Sequence, residues 1–310
     1  MNITLRQLKI FEAVARHLSF TKAAEELHLT QPAVSMQINQ LEKVVGVPLL
    51  EQIGKRIYMT EAGEELLRYG RSIGTLLAEA EQVFAEMQGL RRGRLNITVA
   101  STANYFVPRL WATFRMRHPE VTVSLDVTNR AGLLRALAEN QTDLVIMGQP
   151  PDDTGLIAEI FMSNPLVVIA PPTHPLAGAR DVPLERLQDQ TFLVREQGSG
   201  TLSLMERVFA EKGFHPSTPI EMSSTEAIKQ GVEAGLGLAL LSLHTLEMEL
   251  ALKRLVVLDV AGFPVLRDWY IVHRAGKRLS AVAQAFKDFI LTETTDIVHL
   301  PEVGKVRRRK

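Results

Sequence analysis

The stretch from Phe20 to Glu42, FTKAAEELHLTQPAVSMQINQLE, constrains the fold of this chain more than any other. Apolar residues recur at helical spacing on both sides of a break at 28–29, and small alanines before the break let a second helix cross closely. Thr30 can cap the second helix, and Pro32 suits its first turn, where a missing N–H costs nothing. The stretch therefore predicts two short helices joined by a tight turn.

The polar face of the second predicted helix suits the major groove of DNA. Short side chains with hydrogen-bond donors and acceptors at the start of such a helix can reach base edges and phosphates. We interpret the pair as a DNA-binding helix-turn-helix, although an ordinary helical hairpin with a solvated polar face gives a similar pattern. The candidate contacts on this helix are Thr30, Gln31, Pro32, Ser35, Met36, Gln37 and Asn39.

The flanking residues favour a winged helix-turn-helix, because an amphipathic helix precedes the pair and two short apolar strands follow it. Lys55 and Arg56 lie at the tip of the predicted wing, where they could reach phosphates or the minor groove. The predicted elements are a helix over 5–15, strands over 47–50 and 57–59, and a polar turn over 51–56.

A long helix is predicted over 61–90, ending at the sequence RRGR. Its apolar residues repeat about every 3.5 positions, as in the seam of a coiled coil, so we expect it to dimerise the chain. Residues 1–60 contain only seven Lys and Arg against five Asp and Glu, and a dimer would double their weak DNA contacts. A helix packed against its own chain is the alternative. The seam residues are Leu66, Ile73, Leu77, Ala80, Phe84 and Met87.

The remainder of the chain alternates between strand and helix patterns with short connections, which predicts a doubly wound α/β region. About 200 such residues suit two small lobes with a ligand cleft at the strand ends. The predicted strands are 95–99, 121–127, 143–147, 165–170, 191–194, 238–241, 255–258 and 268–272, and the predicted helices are 105–117, 133–139, 206–212, 226–235 and 280–291.

Three polar turns at strand ends are candidates for an anion site. Ser101 and Thr102 follow one strand, the run QGSGT that contains Ser199 and Thr201 follows another, and free N–H groups at helix starts attract anions. Arg130, after Asn129, could add a bidentate cation. Such turns often only cap helices, which is the alternative for each of them. Facing one cleft, they would suit a small dianion such as a phosphorylated metabolite or a carboxylate.

Composition excludes several other functions. The 310 residues include 35 basic and 35 acidic residues and no cysteine, which excludes a polycation, thiol redox sensing, disulfides and Cys-ligated zinc. Neither a signal peptide nor an apolar run of membrane-spanning length is present, so a cytoplasmic protein is expected. The scattered histidines match no metal or catalytic pattern, so we expect no enzyme activity, no metal and no bound cofactor. The tail KVRRRK is expected to be a disordered basic end or to touch DNA phosphates.

The order of these regions resembles the LysR-type transcriptional regulators, and the N-terminal pattern LRQLKIFEAVARHLSFTKAAEELHLTQPAVSMQINQLEKVVGVPLLEQIGKRIYMTEAG matches that family throughout. The resemblance extends to about residue 291. It implies a dimer of dimers bound to double-stranded promoter DNA at a dyad of T and A, with a small inducer between the lobes and RNA polymerase as a further partner. By family position the DNA contacts would be Gln31, Pro32, Ser35, Met36, Lys55 and Arg56. Many members carry cations where this chain has Met36 and Gln52, so those charged contacts are missing here.

The segments QPAVSMQI and LLEQIGKRIYMTEAG are most similar to the corresponding segments of the LysR-type regulators of carbon-fixation (RuBisCO) operons. This similarity implies an effector such as a phosphorylated sugar, phosphoenolpyruvate, phosphoglycolate or a reduced nicotinamide nucleotide. By family position Ser101, Thr102, Thr128, Gly148 and Thr201 would line the cleft. Asn129, Arg130 and Ser199 are added on chemical grounds.

The predicted fold class is therefore a multidomain α+β chain with a winged helix-turn-helix, a long linker helix and a two-lobed α/β domain that resembles periplasmic binding proteins. A regulator of a different operon, or a DNA-binding protein whose C-terminal region serves only oligomerisation, are alternatives. A solute-binding protein would need a signal peptide and would leave residues 1–90 without a role, and an enzyme that uses the cleft would lack a base, nucleophile or metal set. The predicted domains are 1–60, 61–92, 93–291 and a tail over 292–310, with lobe 1 at about 93–162 and 268–291 and lobe 2 at about 163–267.

Overall fold

The computed structural model describes residues 3–54, 56–87, 93–152, 155–216, 218–301 and 303, without the side chains at 78, 79 and 81–87. Contacts divide the chain into two units, Met1–Gly89 with Glu139–Gln141, and Leu90–Ala138 with Thr142–Lys310. Among the described residues, no helix has the length and apolar content needed to cross a membrane.

The first unit is a small helical domain with a two-stranded wing. The capping box at its start is complete, because Thr4 Oγ1 accepts from the N–H of Gln7 at 3.2 Å and Gln7 Oε1 accepts from the N–H of Thr4 at 3.0 Å. The elements are helices α1 (Leu5–His17), α2 (Phe20–Glu26) and α3 (Gln31–Val45), strands β1 (Leu50–Ile53) and β2 (Arg56–Met59), and helix α4 (Glu61–Met87).

The helix-turn-helix prediction is confirmed by the core of this unit. Val34 and Ile38 on α3 are buried against Phe11 of α1 and against Ala23 and Ala24 of α2. The alanines lack bulk, so α2 and α3 cross closely, and the opposite face of α3 is left to solvent. Thr30 holds the predicted N-cap position of α3, although its hydroxyl makes no capping hydrogen bond.

The first strand of the wing begins later than predicted. The N–H groups of Leu49 and Leu50 donate to Glu42 Oε1 at 2.8 and 3.2 Å, and Thr60 Oγ1 donates to the carbonyl of Pro48 at 2.8 Å. These bonds tie 48–50 to Glu42 of α3 and to Thr60 after β2, and strand pairing starts only at Leu50, which faces Met59. The turn predicted over 51–56 therefore overlaps both strands, since β1 continues to Ile53 and β2 begins at Arg56.

The second unit consists of two α/β lobes, with their elements running from β3 to α10. Lobe 1 contains β3 to β6, β12, α5, α6 and α10, and lobe 2 contains the rest. The elements are β3 (Arg94–Ala100), α5 (Val107–Arg117), β4 (Thr122–Thr128), α6 (Arg130–Ala138), β5 (Leu144–Met147), β6 (Leu156–Ser163), β7 (Leu166–Ala170), β8 (Thr191–Arg195), α7 (Gly200–Glu211), β9 (Thr218–Met222), α8 (Thr225–Glu233), β10 (Ala239–Ser242), α9 (Glu247–Ala251), β11 (Val256–Val257), β12 (Asp268–Arg274) and α10 (Ala281–Ile297).

Each lobe is built around its own sheet. In lobe 1 the strand order is β4-β3-β5-β12-β6, with the first three strands parallel and β12 antiparallel to both neighbours. The helices α5 and α10 cover one face around Phe114, Trp269 and Phe286, and α6 covers the other face. In lobe 2, β7 lies between β10 and β11, and β8 pairs in parallel with β9. The predicted two-lobed fold is confirmed, although the sheet of lobe 1 is mixed.

Several elements differ from the predictions for physical reasons. Strand β9 was not predicted because it contains Pro219, which is tolerated here because β8 is the one described strand that pairs with β9. Strand β6 was missed because the charged Glu159 interrupts its apolar pattern. Helix α7 begins at Gly200 rather than 206, and α10 continues to Ile297 rather than 291. The predicted domain limits stay predictions.

Candidate DNA-binding face and effector cavity

The exposed face of α3 brings most of the predicted DNA contacts together. Around a shallow concavity lie five predicted residues together with Gln40 and Lys43, which were not predicted. These two continue the face by one further turn, a helical repeat that the sequence pattern could have revealed. Thr30 is exposed at the start of the helix, and Gln37 is half-buried outside the concavity. The residues around the concavity are Gln31, Pro32, Ser35, Met36, Asn39, Gln40 and Lys43.

Met36 is the one large apolar side chain on this face, and it is 53% exposed. A thioether has no charge with which to hold a phosphate, but an apolar side chain can contact the methyl group of thymine in the major groove. In the wing, Arg56 is exposed at the start of β2, and Gln52 donates from Nε2 to the carbonyl of Gly54 at 3.0 Å. The predicted contact Lys55 lies outside the described residues.

A cavity in the second unit brings together seven of the eight predicted effector residues. Thr128 is the exception, because its side chain faces Gly132 of α6, where an added Cβ would lie 2.2 Å from Thr128 Oγ1. The cavity volume is about 50 Å³, against roughly 10–15 Å³ for one water molecule. The predicted lining residues are Ser101, Thr102, Asn129, Arg130, Gly148, Ser199 and Thr201, and the others are Ala100, Leu133, Met147, Asn164, Leu166, Arg195, Gly200, Ser242, Arg267 and Trp269.

Two α-helix starts meet at this cavity, one of them in the run QGSGT, where the sequence indicated a helix start. Helix α6 begins at Arg130, and Asn129 Oδ1 accepts from the N–H of Gly132 at 3.1 Å. Helix α7 begins at Gly200, and Ser199 Oγ accepts from the N–H of Thr201 at 3.2 Å. Both predicted ligand side chains therefore also serve as caps. The turn after Ser101 starts a 3-10 helix over Ala103–Tyr105 rather than an α-helix, so it provides no α-helix N-terminus.

Arg195 is buried beside the cavity and was missed by the sequence analysis. Its Nε and Nη2 donate to the two oxygens of Glu196 at 2.7 and 3.0 Å, and its Nη1 donates to Thr225 Oγ1 at 3.0 Å. Its Nη2 also donates to Ser101 Oγ of lobe 1 at 3.2 Å. Burial alone would raise the pKa of Glu196, but hydrogen bonds from Arg195 and Asn129 hold that pKa below its ordinary value.

Arg130 and Arg267 have no such partner. Arg130 Nη1 donates to the carbonyl of Gln149 at 2.5 Å, and neither guanidinium forms an ion pair within the described ranges. Burial lowers the pKa of both groups, and the positive charge of Arg207 on α7 lowers it further. The two arginines therefore provide positive charge at the cavity that the described residues do not neutralise.

Other polar groups at the cavity were also missed. Ser242 Oγ donates to Asn164 Oδ1 at 2.6 Å, and both residues are buried. The indole Nε1–H of Trp269 is buried and has no hydrogen-bond partner among the described residues.

The sequence signal that could have identified Arg195 was its place at the carboxyl end of β8, where ligands of α/β folds bind. Arg267 precedes β12 in sequence and carries no comparable signal.

The two lobes contact each other beside the cavity. The N–H of Ala131 donates to the carbonyl of Gly198 at 3.3 Å, and Asn129 Nδ2 donates to Glu196 Oε1 at 3.2 Å. Gly198 has a φ of +84°, and an added Cβ would lie 3.2 Å from Ala131 Cβ. A side chain at this glycine would therefore oppose the close approach of the lobes.

A winged helix-turn-helix joined to a two-lobed domain with a cavity lined by arginines and hydroxyl groups defines a class, the ligand-responsive DNA-binding regulators. Residues 5–64 match the profile of the bacterial regulatory helix-turn-helix proteins of the lysR family, and residues 88–295 match the LysR substrate binding domain. The chain belongs to the LysR family, whose members are transcriptional regulators and not enzymes.

Three comparisons place the chain within this family. The RuBisCO operon transcriptional regulator of Allochromatium vinosum is 55% identical over 293 residues, which cover 94% of this chain and 97% of that protein. The CcmR regulatory domain of Synechocystis PCC6803 in complex with 2-PG is 40% identical with a TM-score of 0.64, covering 66% of this chain and 99% of that domain. Full-length CbnR complexed with its target DNA is 22% identical with a TM-score of 0.69, covering 94% of this chain and 100% of that one, which shows a shared fold.

Proposed function

We propose that this chain regulates a carbon-fixation operon by binding its promoter DNA in the cytoplasm as a dimer of dimers, under the control of a small phosphorylated acid. The observation that carries the proposal is the 55% identity with a RuBisCO operon regulator over nearly the whole of both chains. RNA polymerase is the further partner that we expect at such a promoter.

The cavity supports an anionic effector of few carbon atoms. Uncompensated arginines attract an anion, while hydroxyl and amide groups such as those of Ser101 and Thr102 can orient it. The volume of about 50 Å³ favours a small acid over a reduced nicotinamide nucleotide. A relative's regulatory domain was solved with 2-PG, and phosphoglycolate is among the effectors expected from the resemblance.

Helix α4 supports self-association. Four large apolar residues of this helix are exposed to solvent in the single chain. They are Tyr69, Ile73, Leu76 and Leu77. A second copy of the helix that packs against this apolar stripe would remove it from water, as in a coiled coil. The side chains of Phe84 and Met87, which complete the predicted seam, lie outside the described residues.

In the proposed mechanism the effector acts on the contact between the lobes. Bound ligand favours one angle between the lobes over another, which is a shift between two populated states. The coupled change in the assembly then alters the bend of the promoter DNA.

Footprinting on a carbon-fixation promoter, with and without phosphoglycolate, tests the proposal. We expect a protected dyad at moderate salt and a change in DNA bending when the effector is added. Protection equal to that of random duplex, or an unchanged bend angle with every phosphorylated acid, would contradict it.

A further inference from the structure

Three arginines line the cavity, and they are in two different electrostatic states. Arg195 is paired: four of its donor contacts are occupied by Glu196, Thr225 and Ser101, and the carboxylate of Glu196 is bound in the bidentate manner. A guanidinium offers five N–H donors in all, so only one is left for a ligand. Its charge is already neutralised by the neighbouring carboxylate.

Arg130 and Arg267 are in the opposite state. The first donates to a neutral carbonyl, and the second has no side-chain hydrogen bond within the described part of the chain. None of the described residues that line the cavity is an aspartate or a glutamate. The exposed Arg207 adds a third cation nearby, with Glu211 as its own partner at 3.9 Å.

A glycine lies beside each of these two arginines. A Cβ added at Gly148 would lie 4.0 Å from Arg267 Nη1, and one added at Gly200 would lie 3.7 Å from Arg130 Cδ. Both distances are ordinary van der Waals separations, so each glycine marks backbone that lies directly against one of the two arginine side chains. Both arginines are half-buried, so their charge is screened less by water than that of a surface arginine.

We propose that Arg130 and Arg267 select the effector by its charge, and that the Arg195–Glu196 pair positions the two lobes without contributing to charge selection. The ligand class is then a small acid whose phosphoryl group brings a double negative charge to these two arginines. This inference rests on the proposed function, because it concerns the same effector.

Selection of the effector by charge would be the intuitive role for Arg195, since Arg195 is the most buried arginine of the cavity. Its geometry argues against that role. A buried cation with a bidentate carboxylate partner gains little from a second anion, whereas two cations that repel each other are both stabilised by one. Arg195 reaches Ser101 of lobe 1 from β8 of lobe 2, which makes it a link between the lobes.

The test is calorimetry on the full chain with phosphoglycolate, which carries a phosphoryl group, and with glycolate, which lacks it. We expect Arg267→Gln and Arg130→Gln to weaken phosphoglycolate binding at least tenfold while changing glycolate binding less than threefold. Arg135→Gln is the matched control, because Arg135 is an exposed cation on the same helix as Arg130.

The pair is tested by a double variant. Arg195→Gln with Glu196→Gln removes both charges together, so no lone carboxylate is left beside the cavity. We expect this variant to weaken both ligands by a similar factor and to change the angle between the lobes in small-angle scattering. A constant ratio of the two affinities is the readout that separates positioning from charge selection.

The outcomes are distinguishable. If the wild type binds phosphoglycolate and the ratio of its affinity to that of glycolate is unchanged in Arg130→Gln and Arg267→Gln, the inference is overturned and the proposed function stands. If the ratio falls only in the double variant, the assignment of the two roles is reversed and the inference is also overturned. If the wild type binds neither acid, the inference fails together with the effector part of the proposed function, whereas promoter footprinting tests the DNA part separately.

Discussion

The face of α3 and the cavity of the second unit are both suited to anions, but they are built in opposite ways. The α3 face comes from one continuous segment, lies in solvent, and has Lys43 as its only cation among the seven residues around its concavity. The cavity gathers residues from 100 to 269 and holds three arginines. Few cations in water give weak binding for each copy, so DNA affinity must come from several copies and from shape. Half-buried cations can instead select one small ligand within a single chain.

This contrast predicts that the two functions are separable by mutation. The largest effect is expected for Ser35→Trp on the α3 face, since a large side chain there prevents the helix from entering the groove. Affinity for the operator should fall at least about 100-fold, toward the non-specific level, while affinity for the effector is unchanged. Fluorescence anisotropy and calorimetry on one sample measure both. Ser35→Ala is the control and should lose far less; equal losses for the two variants would show that the hydroxyl, and not the space, matters.

The second largest effect is expected for a change that prevents dimerisation through α4 and so reduces the number of copies bound to one operator. Leu76→Glu should dissociate dimers at micromolar concentration, because it places a charge in the exposed apolar stripe of α4, where Leu76 is 60% exposed. Analytical ultracentrifugation gives the mass, and operator binding should weaken with it. Leu252→Glu is matched in exposure at 63% and should leave the assembly intact. If the Leu76→Glu variant remains a dimer, the dimer interface does not include this stripe of α4.

A smaller effect is expected where the lobes touch. Gly198→Ala should weaken effector binding about tenfold, as overpacking commonly costs 1–3 kcal/mol, and should leave operator binding by the free protein unchanged. Gly178→Ala is the control, because Gly178 has the same φ of +84° with no atom near the added Cβ. Both variants therefore carry the same backbone strain. If they lose affinity equally, strain and not contact between the lobes is responsible.

The smallest effect is a pH dependence of stability. The pKa of Glu196 is held below its ordinary value in the folded protein, so its contribution is present above the unfolded pKa and is lost as pH falls through the folded pKa. Thermal melts from pH 6 to pH 3 should therefore show a shallower loss of stability in Glu196→Gln than in the wild type. Glu206→Gln, an exposed carboxylate on α7, should follow the wild type. Parallel curves for all three proteins would show that the Arg195–Glu196 pair makes no pH-dependent contribution to stability.

The predictable parts of this protein are those whose signals lie within a few residues of each other. Apolar period was enough for α1, α2 and α4, and polar turns at strand ends were enough to bring Ser101 and Ser199 to one cavity. The start of the wing was not predictable in this way, because Glu42 binds the backbone of Leu49 from seven residues away. The position of Thr128 was not predictable in this way either, because its side chain packs against Gly132 of α6, outside the residues that line the cavity.

The sequence by itself determined the two kinds of unit and the face that α3 turns to solvent, because apolar spacing sets which side of a helix is buried. The tertiary structure alone decided the electrostatic state of the cavity. Arg195 and Arg267 are equivalent as letters in a chain, and only the folded neighbourhood shows that the first is neutralised by Glu196 while the second is not. Each of the two is followed directly by an acidic residue, Glu196 or Asp268, but among the described residues only Arg195 forms an ion pair with that neighbour. Whether adjacent charges pair depends on the directions in which the fold turns their side chains, and no local sequence pattern records those directions.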